Sequence, residues 1–299
     1  MTGGDGKVRR AVTTALALLP FLTLAVRPSH AVLLRYKFQP GETLKYVLKM
    51  SATGQLTTSM QPAPQPISVS GSAVLIMKVL GINPDGSYNL RITLQPKDLR
   101  INVVGAQQGQ QPVMRPMTFR VVMTPLGEVR KIQLEGAQGK APVAAPPGMG
   151  GGLDPSQFVT EIAGSIVFPK GDVQVGQVWT GRVKLSSPLL QQPLVLATKS
   201  KLVKMEPYMG RPCAVIDTVA EIPMNFSLPA FGITSSGRHT SVTRSYFDYE
   251  AGRVLCSKGQ FKVAISSQAQ FQQPGGATAN FSMMFQMSGQ VEVTLAGSA

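Results

Sequence analysis

Cysteine, histidine and tryptophan are nearly missing from this chain of 299 residues, which has 2 Cys, 2 His and 1 Trp. So few thiols exclude a cysteine-based zinc or iron–sulfur centre. One imidazole, His30, falls in a leader-like N-terminus, which leaves His239 as the single histidine of the remainder. Aromatic residues make up 6%, too few for the stacking platforms of a typical carbohydrate binder. Acidic residues are also scarce, at 15 against 29 basic ones, for a formal charge of +14. Beyond the N-terminus no apolar run reaches the roughly 20 residues that a membrane-spanning helix needs. What is there is a 43% hydrophobic chain with 30 Gly and 23 Pro in no fixed period. That excludes a disordered or collagen-like chain and leaves ample material for a core, in one large domain or two modest ones.

The N-terminus reads as an export signal. Lys7, Arg9 and Arg10 precede the apolar stretch AVTTALALLPFLTLAV, and Pro28-Ser29-His30-Ala31 supplies small residues for cleavage after Ala31. The competing reading, a membrane anchor, meets a stretch that is too short and is followed by a cleavage site. Arg9-Arg10 fits twin-arginine export poorly, which leaves ordinary unfolded export. No cysteine near the cut offers a lipid attachment point. The expected location is therefore periplasmic or extracellular, with no transmembrane segment after signal removal. Export argues against nucleic acid as the partner of the basic excess. Lys45 and Lys49, like Arg182 and Lys184, are spaced to share one strand face. That face is either simply solvated or rests against an anionic surface.

Strand periodicity dominates the rest. Leu44, Tyr46, Leu48 and Met50 alternate with polar residues, as do Tyr88, Leu90, Ile92 and Leu94, then Phe119, Val121 and Met123, then Phe261, Val263 and Ile265. Glycine turns separate them at Asn83-Pro84-Asp85-Gly86, Thr124-Pro125-Leu126-Gly127 and Glu250-Ala251-Gly252. Residues 51–66 and 271–280 have loop composition. Asp154, Pro155 and Gln157 mark a helix start, with Phe158, Ile162 and Ile166 on one face of a short helix near 155–166. The expected fold is mostly β, with antiparallel sheets as a sandwich, barrel-like form or curved sheet, and one short helix.

Three segments recur in order. Gln39-Pro40-Gly41-Glu42 matches Gln174-Val175-Gly176-Gln177, the strand after Gly86 matches that after Gly210, and the turn at Gly127 matches that at Gly252. This predicts two duplicated halves: a signal peptide at 1–31, a first β unit at 32–134, a Gly/Ala/Pro linker with the helix at 135–168, and a second β unit at 169–299. The segments LRYKFQPGETLKYVLKM, MKVLGINPDGSYNLRITL, VQVGQVWTG and SYFDYEAGRVLCSKG resemble a family of exported bacterial β-rich proteins of uncharacterised function. The resemblance spans about Leu33 to Leu295. It implies export and β architecture, and it transfers no active site.

Candidate chemistry is sparse. A Ser/His/Asp hydrolase would have to use His239, within SSGRHTSVTR, where no nucleophile-elbow sequence stands. Asp248 and Glu250 form the closest carboxylate pair for a glycosidase, but they flank a turn. GMGGG at 148–152 lacks the Lys-Ser/Thr of a phosphate loop. Asn225 and Asn280 head Asn-Phe-Ser glycosylation patterns, accidental in a bacterial chain. Cys213 and Cys256 are either a disulfide formed after export or two buried free thiols. Phe281, Met283, Phe285 and Met287 line one face of a strand, as core, as an apolar ligand face or as soft copper ligands. No metal or cofactor is expected. The leading expectation is a non-catalytic envelope binding module for an apolar ligand, lipid-like or peptide, on the Phe281–Met287 face. A structural or adhesion module contacting envelope proteins is the alternative, and an exported hydrolase comes third.

Overall fold

The computed structural model describes residues 31–98, 100–103, 116–136, 166–185, 194–228, 233–272 and 278–298. The export signal before Ala31, the GMGGG stretch and the helix expected near 155–166 lie outside the described residues, except that Ile166 is described and is not helical. No helix occurs among the described residues.

The strands are β1 (Thr43–Thr58), β2 (Gln65–Ile82), β3 (Tyr88–Pro96), β4 (Arg100–Val103), β5 (Met117–Met123), β6 (Val129–Leu134), β7 (Val178–Leu185), β8 (Leu194–Tyr208), β9 (Arg211–Pro223), β10 (Phe226–Leu228), β11 (Ile233–Asp248), β12 (Arg253–Gln272) and β13 (Thr278–Ser298). They form one 13-stranded antiparallel sheet, in the order β6-β5-β3-β2-β1-β13-β12-β11-β9-β8-β7, with β4 beside β2 and β10 beside β11. β1 and β13 join the N-terminal and C-terminal strands along their length, from Leu44↔Ser298 to Thr58↔Met283. The edge strands β6 and β7 come back into contact, and no ladder joins them among the described residues, so the described sheet curls without closing.

Period two does the sorting. Leu44, Tyr46, Leu48, Leu75, Met77, Tyr88, Leu90, Ile92, Leu94, Phe119, Val121 and Met123 are all buried in one core inside the curl. The outer face carries charge. Lys201, Asp217, Arg244, Lys258, Glu292 and Lys49 are successive register partners across β8, β9, β11, β12, β13 and β1. Arg244 Nε lies 2.7 Å from Asp217 Oδ1, and Lys258 Nζ 3.0 Å from Glu292 Oε1. Lys45, Lys49 and Arg182 are exposed, in keeping with the spacing of basic residues in the sequence.

One end of the curl is plugged. Residues 32–38 run across it with Leu34, Tyr36 and Phe38 buried, and 166–173 cross beside them with Ile166, Val167, Phe168 and Val173 buried. Val32 and Val173 bridge the two segments. Tyr36 N–H donates to Pro125 O (2.8 Å), Lys37 N–H to Gly252 O (3.1 Å), and Phe168 N–H to Leu126 O (2.8 Å), so the segments hang on the β5–β6 and β11–β12 turns. Tyr36, Phe38, Tyr88, Phe168 and Phe247 pack as a ring cluster, with centroids 4.7–5.8 Å apart. β1 therefore begins only at Thr43, because 32–38 bonds to turns rather than to a neighbouring strand.

The starts of β1 and β7 share a hydrogen-bond set. Gln39 N–H donates to Glu42 Oε2 and Glu42 N–H to Gln39 O, at 3.1 and 3.0 Å. Gln174 N–H donates to Gln177 Oε1 and Gln177 N–H to Gln174 O, both at 3.0 Å. Gly41 N–H donates to Val79 O of β2, and Gly176 N–H to Leu202 O of β8. Each of those partners adjoins a register shift, Val79/Gly81 and Leu202/Lys204.

Two loop expectations are corrected. β1 and β2 run through most of 51–66, leaving 59–64 between them, and β12 and β13 extend to Gln272 and from Thr278. Ser51, Thr53 and Gln55 face outward on either side of inward-facing Ala52, and cross-strand pairing with β13 and β2 overrides the loop-like composition.

Candidate functional site

A cavity of about 120 Å³ lies inside the curl, next to the plug. Its walls differ. β1 and β2 supply Leu48, Met50, Leu75 and Met77, and β12 and β13 add Phe261, Val263, Val291 and Val293. Beside them on the same sheet face, β8, β9, β11 and β12 supply Thr198, Thr218, Ser241, Thr243, Ser245 and Ser257, with Ser241 the register partner of Phe261. Strand alternation puts Ser241, Thr243 and Ser245 on the same face of β11 as His239. Tyr36 and Phe38 close the plugged end.

Some of these hydroxyls satisfy each other: Ser245 and Ser257 are 2.7 Å apart, and Thr218 lies 3.0 Å from Ser200. Thr198 Oγ1 is buried and has no hydrogen-bond partner among the described residues. None of the described lining residues is Lys, Arg, Asp or Glu.

His239 lines the cavity at 9% exposure, its ring 6.0 Å from that of Phe261. Burial pushes its pKa down from 6.5 to about 4. The imidazole is therefore neutral at physiological pH, and none of the described lining residues is an Asp or Glu. This shift has a stability consequence. Between pH 6.5 and about 4 the unfolded chain binds a proton that the folded chain resists, so stability is complete above 6.5 and falls as pH drops. The loss should reach about 3 kcal/mol by pH 4. His239→Leu should flatten the urea-unfolding profile across that window, and an unchanged slope would contradict the assignment. Asp85, held down to about 2 chiefly by its hydrogen bond from the Ser87 hydroxyl, titrates below the window.

The other candidates fall elsewhere. Phe281, Met283, Phe285 and Met287 share the inner face, as their pairing with Ala269, Ser267, Ile265 and Val263 requires, but they lie along β13 from the cavity rather than in its wall. Met283 and Met287 are buried, and Phe285 packs against the core. Cys213 and Cys256 are free and buried. They sit on β9 and β12 with β11 between, about two strand spacings or 9.6 Å, whereas a disulfide spans at most roughly 7 Å. The disulfide is therefore replaced by two buried thiols; burial raises that of Cys213 to about 11. Asp248 is a turn residue: its Oδ1 accepts the N–H groups of Glu250 (3.1 Å) and Ala251 (2.8 Å), and its Oδ2 lies 3.2 Å from Arg211 Nη1. Asn225 Oδ1 accepts the Gly237 N–H at 3.2 Å. Among the described residues no three His, Cys, Asp or Glu side chains group as metal ligands.

The hydroxyl wall was missed from sequence. Its trace was the polar run Ser241, Thr243, Ser245 at period two, leading to buried Phe247 past a register shift at Tyr246/Phe247. No family model matches the chain, and no curated protein matches it.

Proposed function

We propose that this protein is an exported, non-catalytic binding module that holds an apolar small molecule inside its curled sheet. The observation that carries the reading is the cavity beside the aromatic plug, walled by Leu48, Met50, Leu75 and Met77. Pockets of this kind, mostly apolar with a few converging polar groups, are the usual form of small-molecule sites. The site differs from the one read from sequence, since β1 and β2 replace the Phe281–Met287 stretch as its apolar wall. The matched hydrogen bonds at Gly41 and Gly176 support an origin by duplication, with β13 closing the seam between the halves. Export rests on the signal-like N-terminus.

Methionine methyl groups give the test. Met50, Met77 and Met224 line the cavity, whereas Met60, Met209 and Met284 are 83%, 71% and 51% exposed. Titration with toluene, followed by methyl NMR, should shift the first three in a saturable one-to-one manner and leave the exposed three in place. Shifts confined to the exposed methyls, or none, would contradict the reading. The alternative, a structural or adhesion module, draws on the outer edges of β6 and β7, the sides away from β5 and β8, where no ladder forms among the described residues. It predicts an ordered oligomer and no toluene response.

A further inference from the structure

We propose that the outer face of the sheet carries a docking groove for an anionic polysaccharide, laid across β9, β11, β12, β13 and β1. The groove lies on the other side of the strands from the cavity, and the proposal stands apart from the binding reading above.

Charge comes first. Asp217 and Glu292 each stand between two cations in the register, Lys201 and Arg244 in one case, Lys258 and Lys49 in the other. Each carboxylate is taken by one of its two neighbours. Arg244 donates to both oxygens of Asp217 at 2.7 and 2.8 Å, and Lys258 lies 3.0 Å from Glu292. Glu221, further along β9, pairs with Arg238 at 3.1 Å. Lys49, Lys199, Lys201 and Lys262 are exposed on the same face and form no ion pair among the described residues. The face therefore attracts anions.

Shape comes next. A groove of about 680 Å³ runs over this face, lined by Lys49, Arg244, Lys258, Gln260, Gln290 and Glu292 among others. From Asp217 on β9 to Lys49 on β1 it crosses four strand spacings, about 19 Å. Arg244 and Lys258 are one spacing apart, and Lys258 and Lys49 two. An extended chain with repeated charges meets all three at once.

The remaining chemistry selects among polyanions. An acidic peptide typically docks by adding a strand to an open sheet edge, whereas each strand beneath the groove is already paired on both sides. A flat lipid surface would rest on the rim of a groove and leave Gln260 and Gln290 unengaged. Those amides and the Ser51 hydroxyl suit the hydroxyl groups of a sugar. No aromatic ring is among the described lining residues, so a neutral glycan finds no stacking platform and affinity has to come from charge.

Fluorescence anisotropy of a labelled oligogalacturonate with the full chain tests the proposal, with dextran, polyglutamate and phosphatidylglycerol vesicles as competitors. The oligogalacturonate should bind, and its affinity should fall at least about tenfold from about 50 to about 200 mM salt. Dextran should not compete. Lys49→Glu should weaken binding at least about fivefold, and Glu292→Gln, which removes the carboxylate between Lys258 and Lys49, should tighten it about threefold. Lys131→Glu makes the same charge change on β6, outside the groove, and should alter affinity less than about twofold. Urea unfolding of the three variants confirms that they fold. Equal losses in Lys49→Glu and Lys131→Glu, or no gain in Glu292→Gln, would overturn the groove as the site. Stronger binding of polyglutamate or vesicles than of the oligogalacturonate would overturn the polysaccharide as its occupant. An oligogalacturonate that does not bind would overturn the proposal outright.

Discussion

Replacing Gly127 or Gly252 with alanine is expected to cost far more than replacing Gly86 or Gly210, although all have φ between +65° and +87°. A left-handed residue with a side chain costs about 1–2 kcal/mol whatever surrounds it. At Gly86 and Gly210 nothing lies within 4 Å of an added Cβ, so that conformational cost should be the whole effect. At Gly127 the Cβ would fall 2.3 Å from Ile166 O, and at Gly252 2.5 Å from Lys37 N. Both clashes are with backbone, and both backbones belong to the segments that plug the curl. Relief requires displacing 32–38 or 166–173, with loss of hydrogen bonds such as Lys37 N–H to Gly252 O. The expected total is about 3–5 kcal/mol, in the range that marks a specific structural failure. Urea unfolding of the four single variants checks it. Similar losses at all four positions would mean that the turns act only through φ and that the plug does not lean on them.

Phe247→Ala is the second large effect. Phe247 is fully buried, 5.4 Å from the Tyr36 ring and 4.7 Å from the Phe168 ring. It is the place where β11 meets both crossing segments. Truncation should cost about 3–5 kcal/mol, from lost transfer energy and the cavity left behind. Phe247→Leu preserves more of the volume and should cost less, about 1.5 kcal/mol. Because Tyr36 also walls the ligand cavity, Phe247→Ala should weaken toluene binding as well. A truncation that costs under about 1 kcal/mol would show that the plug is not part of the cooperative core.

The division between what the sequence carried and what it hid follows from sheet geometry. Alternation is local, so the inward sets such as Tyr88, Leu90, Ile92 and Leu94 could be assigned from spacing alone. The turns at Gly86, Gly127 and Gly252 were equally local. Met283 and Met287 were rightly placed on one face, because side-chain period two needs no knowledge of the neighbours. Neighbour identity is another matter. Leu48 on β1, Thr198 on β8 and His239 on β11 converge only because the sheet runs in one order and then curls. Nothing in residue spacing encodes that convergence. The same ignorance of strand order left a Cys213–Cys256 bridge open until β11 was found between them. The region 51–66 failed for a different reason. Its Gln, Ser, Thr and Pro have turn-forming tendencies, but the β1–β13 and β1–β2 ladders outweigh local preference.

Native mass spectrometry of the protein purified from its own host, followed by solvent extraction, tests the central claim most directly. The account predicts a stoichiometric bound molecule that is small and largely apolar, released on extraction and absent from a Leu75→Phe variant with a filled cavity. A clean unliganded mass, unchanged after incubation with toluene and benzyl alcohol, would contradict it and leave the structural or adhesion module in its place.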